Sequence, residues 1–278
     1  MSSDRQKKTP PKYLIALESR AFFDIASIPF SLAQSKLSKN TLASSLPVIM
    51  FPGFKSDERY LKALEYYLKN LGYTTEGWGM GKNSAGLDLE HSIDDLSPAW
   101  GLLPTVNRPP STYKGEGSVA FLCQKAIAKI KQRSQELDSP VIIIGWSLGG
   151  YIARECAREL PDNVAQIITF GAPVVGGPKY TRAADFFRKR DLDLDWIEAS
   201  IEQRNNKPIK QPITSIYSKF DAVVSTYAAL DTVSPNVNNI EVNSSHLGMG
   251  FNRKIWKIVT NVLHSSKTTS FKNNEKAA

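Results

Sequence analysis

Four apolar residues in a row, Val141-Ile142-Ile143-Ile144, run straight into Gly145-Trp146-Ser147-Leu148-Gly149-Gly150, and a helical pattern follows to about Leu160. No other stretch restricts the fold so tightly. A short β-branched run without polar alternation reads as a strand buried on both faces. Such strands belong to parallel sheets covered by helices on either side. The chain must then pass from strand to helix within a residue or two. Glycine on both sides of Ser147 removes the side chains that would collide in so sharp a turn.

The same grammar recurs along the chain. Pro47–Phe51, Tyr73–Trp78, Ala165–Phe170, Ile213–Ser218 and Asn238–Asn243 read as further strands, giving about six in all. Helices are expected over about 57–71, 116–137, 148–160 and 251–264. The first has Ser56 as N-cap, Asp57 and Glu58 in its first turn, and Gly72 as terminator. This alternation implies an α/β fold, a mostly parallel sheet with helices on both faces and its site at the carboxyl ends of the strands. Residues 79–114 read as irregular. Residues 177–208, between two strands, carry Phe186, Phe187, Leu192, Leu194, Trp196 and Ile201. They are expected to form a helical cap over the site, or else helices that simply cover the sheet. Residues 1–12 and 266–278 are polar and expected to be disordered, leaving a single domain over 13–265.

Before the first strand, Tyr13–Leu37 has helical spacing. A narrow polar stripe (Arg20, Asp24, Ser27, Ser31) lies opposite a wide apolar circumference that includes Leu14, Leu17, Phe22, Ile25 and Ile28. Pro29 should kink or break it. The apolar side is expected to pack on the domain, with insertion into a membrane surface as the second option.

Composition narrows the partners. Hydrophobic residues make up 41% and charged residues 22%, as in a soluble globular protein. The formal charge of +8 comes from scattered basic residues not interleaved with aromatics, so nucleic-acid binding is not expected. Cys123 and Cys156 sit in helical stretches and read as buried reduced thiols. No cluster has metal-ligand spacing, and neither metal nor organic cofactor is expected. The N-terminus has no clean apolar run of the export type, which makes the cytoplasm the expected location, peripheral to the membrane if the first helix docks there.

With strand before and helix after, Gly145-Trp146-Ser147-Leu148-Gly149 matches the turn that presents a nucleophilic serine, and Gly145 and Gly149 are its structural glycines. "VIMFPGFKSD", "GWGMGKNSAG", "GWSLGG", "SIYSKFDAVV" and "SSHLGMGFN" together resemble segments of bacterial lipase- or esterase-like members of the α/β-hydrolase superfamily, over most of residues 46–262. The resemblance implies a catalytic serine, acid and histidine in that chain order, each after a successive strand. His246, after the last strand, is then the base; His91 precedes the serine and His264 ends the last helix. Asp221 is the favoured acid and Asp231, later in the same connection, its rival. The backbone N–H groups of Leu148 and Phe54 are the expected oxyanion donors, although "PGF" lacks the His-Gly pair common in lipases. Trp146, Phe54, Phe186, Phe187 and Trp196 are expected to line an apolar acyl pocket. These residues imply cleavage of carboxylic esters of apolar acyl chains through an acyl-enzyme, the substrate being a small ester or lipid. Thioesterase or acyltransferase chemistry on the same groups is the alternative, and a non-catalytic hydrolase-fold binding protein a more distant one.

Overall fold

The computed structural model describes residues 9–37, 46–92, 95–96, 100 and 114–275, with the backbone alone for 266–275. Six strands, β1 (Val48–Phe51), β2 (Thr75–Gly77), β3 (Val141–Trp146), β4 (Val164–Phe170), β5 (Ile213–Tyr217) and β6 (Val237–Glu241), form one sheet in the order β2-β1-β3-β4-β5-β6. All pairings are parallel. The register sets Phe51 beside Gly145 and Trp146 beside Phe170, so β1, β3 and β4 end at one edge.

Every residue of β3 is buried. Ile143 packs with Cys123, Ala126, Ile130, Ile152 and Cys156, from helices Ser118–Glu136 and Leu148–Glu159. Ile142 and Ile144 face the other way, among Leu64, Leu68, Ile255, Trp256 and Val259, from helix Lys62–Asn70 and the last helix. The side-chain period of two thus feeds both layers, and each buried aliphatic contributes about 1.5–3 kcal/mol against exposure. Cys123 and Cys156 are free, and burial pushes both thiols well above their ordinary pKa, so they stay protonated filler.

Between β4 and β5 the chain forms a 3-10 turn (Gly177–Tyr180) and helices Ala184–Arg188 and Leu194–Arg204. Arg204, buried, pairs with Glu155 and Glu159 of the helix after β3, both at 2.6 Å. Asp57 rather than Ser56 caps the helical stretch after β1: its carboxylate accepts the Arg59 N–H at 2.9 Å. The last helix runs Arg253–Glu275, past its expected end near His264, since neither Gly nor Pro interrupts the chain there. Residues 1–8 and most of 93–113 lie outside the described residues.

The N-terminal segment departs from expectation. It is a 3-10 helix (Lys12–Arg20) and two α-helices (Ala21–Ala26 and Ile28–Leu37) separated at Ser27. Pro29 occupies the first turn of the third piece, where its missing N–H costs nothing. Its apolar side packs only in part: Leu14 and Ala21 are buried, but most of the large apolar residues are not. Ser31 and Ser35 are buried, and Ser35 Oγ accepts from Asn70 Nδ2 at 3.0 Å, while Phe22, Phe23 and Phe30 are 73%, 79% and 62% exposed. Ile28 and Leu32 still pack on the lower core. The surface beneath is mixed: beside the apolar contacts that bury Leu14 and Ala21 it offers the N–H groups of residues 222, 246 and 247 and the amides of Asn70 and Asn252, which draw polar side chains inward.

Candidate active site

Ser147 follows β3 at φ 54°, ψ −127°, a strained conformation for a side-chain-bearing residue, and starts helix Leu148–Glu159. The turn has no spare volume: a Cβ on Gly149 would lie 2.4 Å from the Phe51 carbonyl oxygen. The serine is consequently held rigidly at a helix N-terminus, where partial positive charge favours an oxyanion.

His246 Nε2 lies 3.1 Å from Ser147 Oγ, and His246 Nδ1 lies 2.8 Å from Asp221 Oδ2. All three side chains are buried. A carboxylate can only accept, so the imidazole gives Asp221 its Nδ1–H and keeps Nε2 free to take the serine proton. Asp221 is itself oriented, its Oδ1 accepting the N–H groups of Val223 and Val224 at 2.7 Å each. Asp231 has no part in this chain. Its carboxylate pairs with buried Arg154; burial pushes its pKa up, but Arg154's charge together with hydrogen bonds from Ser234 and Val233 outweighs that and holds it below the ordinary value. Of the other histidines, His91 stacks on Phe121 and His264 sits on the last helix.

Three residues not singled out from the sequence shape the site. The first is Asn83, fully buried, within "GWGMGKNSAG". Its Nδ2 donates to the Pro52 carbonyl at 2.8 Å, its own carbonyl accepts the Lys55 N–H at 2.7 Å, and it thereby pins the turn carrying Phe54. That turn rests against Ser147: a Cβ on Gly53 would meet Ser147 Cβ at 2.9 Å. The second is Gly171, at φ 58°, where a Cβ would approach His246 Nδ1 to 3.1 Å and Asp221 Oδ2 to 3.2 Å. The third is Glu18, on the N-terminal segment. Its carboxylate accepts the N–H of His246 at 3.0 Å, of Leu247 at 2.9 Å and of Ala222 at 3.3 Å. One side chain thus clamps the loops carrying His246 and Asp221 together. A buried Asn beside a glycine turn is a recognisable signal for the first; nothing local in the sequence marks Glu18.

A cavity of about 260 Å³, lined almost wholly by carbon, opens on Ser147 and His246. Trp146, Leu148 and Phe54 border it on the sheet side, and Phe187, Trp196 and Ile201 from the segment after β4. Phe186 does not line it. Its ring instead packs edge-on to Phe54 (5.3 Å) and Phe187 (5.3 Å), beneath Lys55 and Arg190, and so supports the lining from behind. Trp146 is held between ring and backbone, stacked on Tyr60 at 3.6 Å with its Nε1–H donating to the His246 carbonyl at 3.3 Å.

Sheet order, the strained serine after the central strand and loops converging from later strands define a chain of the α/β-hydrolase fold. Residues 118–265 match the model of the PGAP1-like alpha/beta domain, more than half of the sequence, and the chain belongs to that family. It is 30% identical over 103 residues to a pimeloyl-[acyl-carrier protein] methyl ester esterase of Neisseria meningitidis serogroup B. That match takes in 34% of this chain and 33% of the length of the relative. Among solved structures it is similar to the Paleococcus ferrophilus monoacylglycerol lipase (13% identity, 79% of this chain and 94% of that one, TM-score 0.50). One of the metagenome-derived lipolytic enzymes LipS and LipT is also similar (16% identity, 83% and 98%, TM-score 0.51). At such identities the likeness is one of fold.

Proposed function

We propose that the chain is a serine hydrolase that cleaves carboxylic esters of apolar acyl chains, with Ser147 as nucleophile, His246 as general base and Asp221 as its orienting acid. The observation that carries this is the hydrogen-bonded chain Asp221–His246–Ser147 opening on a carbon-lined cavity. His246 Nε2 takes the Ser147 proton as Oγ bonds to the ester carbon. The carbonyl oxygen becomes an oxyanion held by the N–H groups of Leu148 and Phe54. The tetrahedral species then breaks its bond to the leaving alcohol, which departs with the proton from His246. Water, giving a proton to His246, attacks the acyl-enzyme and releases the acid and Ser147. Trp146, Phe187 and Trp196 would flank the acyl chain. An ester of a lipid fits this pocket better than a charged acyl group, because the lining is almost wholly carbon and its one arginine, Arg204, is already paired with Glu155 and Glu159.

The test is covalent. A fluorophosphonate should label the wild-type protein and leave Ser147→Ala unlabelled, and a p-nitrophenyl ester series should favour chains long enough to enter the cavity. Absence of labelling in folded protein would overturn the reading.

A further inference from the structure

The N-terminal segment leaves part of its apolar surface turned away from the domain. Phe22, Phe30 and Leu37, spaced seven or eight residues apart, fall on one side of the helical path, and Asp24, Ser31 and Ser35 on the other. Leu37 is 89% exposed, and Tyr13 and Ile15 continue the exposed apolar set in the first turn. Isolated exposed apolar residues are ordinary, whereas several large ones on one short segment mark a contact surface.

Charge says which kind. The segment's two acids are both turned inward, Glu18 onto the His246 loop and Asp24 onto Asn252 Nδ2 at 3.1 Å. Its three cations, Lys12, Arg20 and Lys36, are all exposed. Arg253 adds a fourth at the rim, 4.6 Å over the Phe30 ring. The flanking residues 1–8 and 38–45 contribute Arg5, Lys7, Lys8 and Lys39 against one acid, Asp4, and hold little apolar side chain with which to cover the face. Aromatic and aliphatic groups ringed by cations, with the acids withdrawn, suit the headgroup region of an anionic bilayer. Among the described residues no helix is long and apolar enough to cross a membrane.

The face is also next to the pocket. Leu247 lines the cavity and is 46% exposed, and its N–H is held by Glu18 from the same segment. We infer that the N-terminal segment docks the protein on an anionic lipid bilayer, Phe22 and Phe23 entering the interface, with the mouth of the cavity beside it. Docking deepens the lipid-ester reading and rests on it only for its purpose, since binding is read without turnover.

The experiment is flotation of the full chain with vesicles of phosphatidylcholine alone and of phosphatidylcholine with phosphatidylglycerol. Binding to the anionic vesicles is expected, weakening as salt is raised. A Phe22→Ser/Phe23→Ser variant should lose at least about 30-fold in partition, given the burial each ring provides, and should turn over a short soluble ester as the wild type does. Lys12→Gln/Lys36→Gln should lose the preference for anionic vesicles, about fivefold per charge. Ser147→Ala should bind like the wild type, which separates failure of docking from failure of the ester reading. The inference is overturned if neither vesicle binds, if the double Phe variant binds as well as the wild type, or if the wild type is a dimer that this variant dissociates.

Discussion

The connection between β5 and β6 carries two aspartates, ten residues apart, that are nearly copies of one another. Each is buried, and each uses Oδ1 to accept two consecutive backbone N–H groups, Val223 and Val224 for Asp221, Val233 and Ser234 for Asp231. They differ in what Oδ2 meets: a titratable imidazole on the base loop in one case, the permanent guanidinium of Arg154 in the other. The turn chemistry is the same, so the carboxylate's role comes from its partner. Beside an imidazole it can orient a tautomer and steady a passing charge; beside Arg154 it is a fixed brace between the helix after β3 and the loop before β6.

The largest expected effect sets the scale for that comparison. Ser147→Ala should lower kcat by on the order of 10^6-fold. Asp221→Asn should then lower kcat by roughly 10^4-fold, because the amide presents the imidazole with the wrong tautomer, while unfolding stability changes little. Asp231→Asn should do the reverse, leaving kcat within a few-fold but costing about 3 kcal/mol in denaturant unfolding, since Arg154 is left buried without its counter-charge. Parallel kinetics and urea titrations on the two variants decide the matter; if Asp231→Asn is the inactive one, the assignment of the acid is wrong.

The brace should also have a pH signature. Asp231 has a pKa below its ordinary 3.8 in the folded state, so its contribution is fully present above that value and disappears as pH falls through the lower, folded pKa. The stability gap between wild type and Asp231→Asn should therefore close in acid and hold constant from about pH 5 to 8. A gap that widened in acid would contradict the ion pair.

Glu18 gives the smallest effect. Glu18→Ala should lower kcat about tenfold as the three N–H groups it holds lose their acceptor and the His246 loop loosens. KM should stay close to wild type, the melting temperature should fall modestly, and Glu18→Gln, which keeps one acceptor oxygen, should recover part of the rate. A fall in melting temperature with kcat intact would make Glu18 merely structural.

How much of this could be read from residues alone differs by region. The sheet is legible because β3 and its neighbours are short, rich in β-branched residues and punctuated by Gly and Pro, which together favour strand over helix where periodicity alone would not decide. Ser147, His246 and Asp221 stand out as a set through the chain order that the resemblance to lipase-like hydrolases implies, and they lie close together in space. What the residues alone do not show depends on partners far away in sequence. The N-terminal stripe obeyed helical periodicity, but periodicity reports that two faces differ, not which faces the domain. Asn252 and the amides at residues 222, 246 and 247, which draw the polar side inward, carry no local mark. Phe186 failed as a lining residue for a related reason: in the pair Phe186-Phe187 only one ring can point into the cavity, and composition does not say which.

The Glu18 clamp has a consequence for the order of folding. Its partners lie 204, 228 and 229 residues away, among the longest closures in the chain. During synthesis Glu18 leaves the ribosome roughly 200 residues ahead of the amides it binds, so loop closure cannot be completed until β6 and the loop after it have emerged. The His246 loop thus gains this tether long after the Ser147 turn has been made, and shorter nascent chains would hold the serine turn without an anchored histidine.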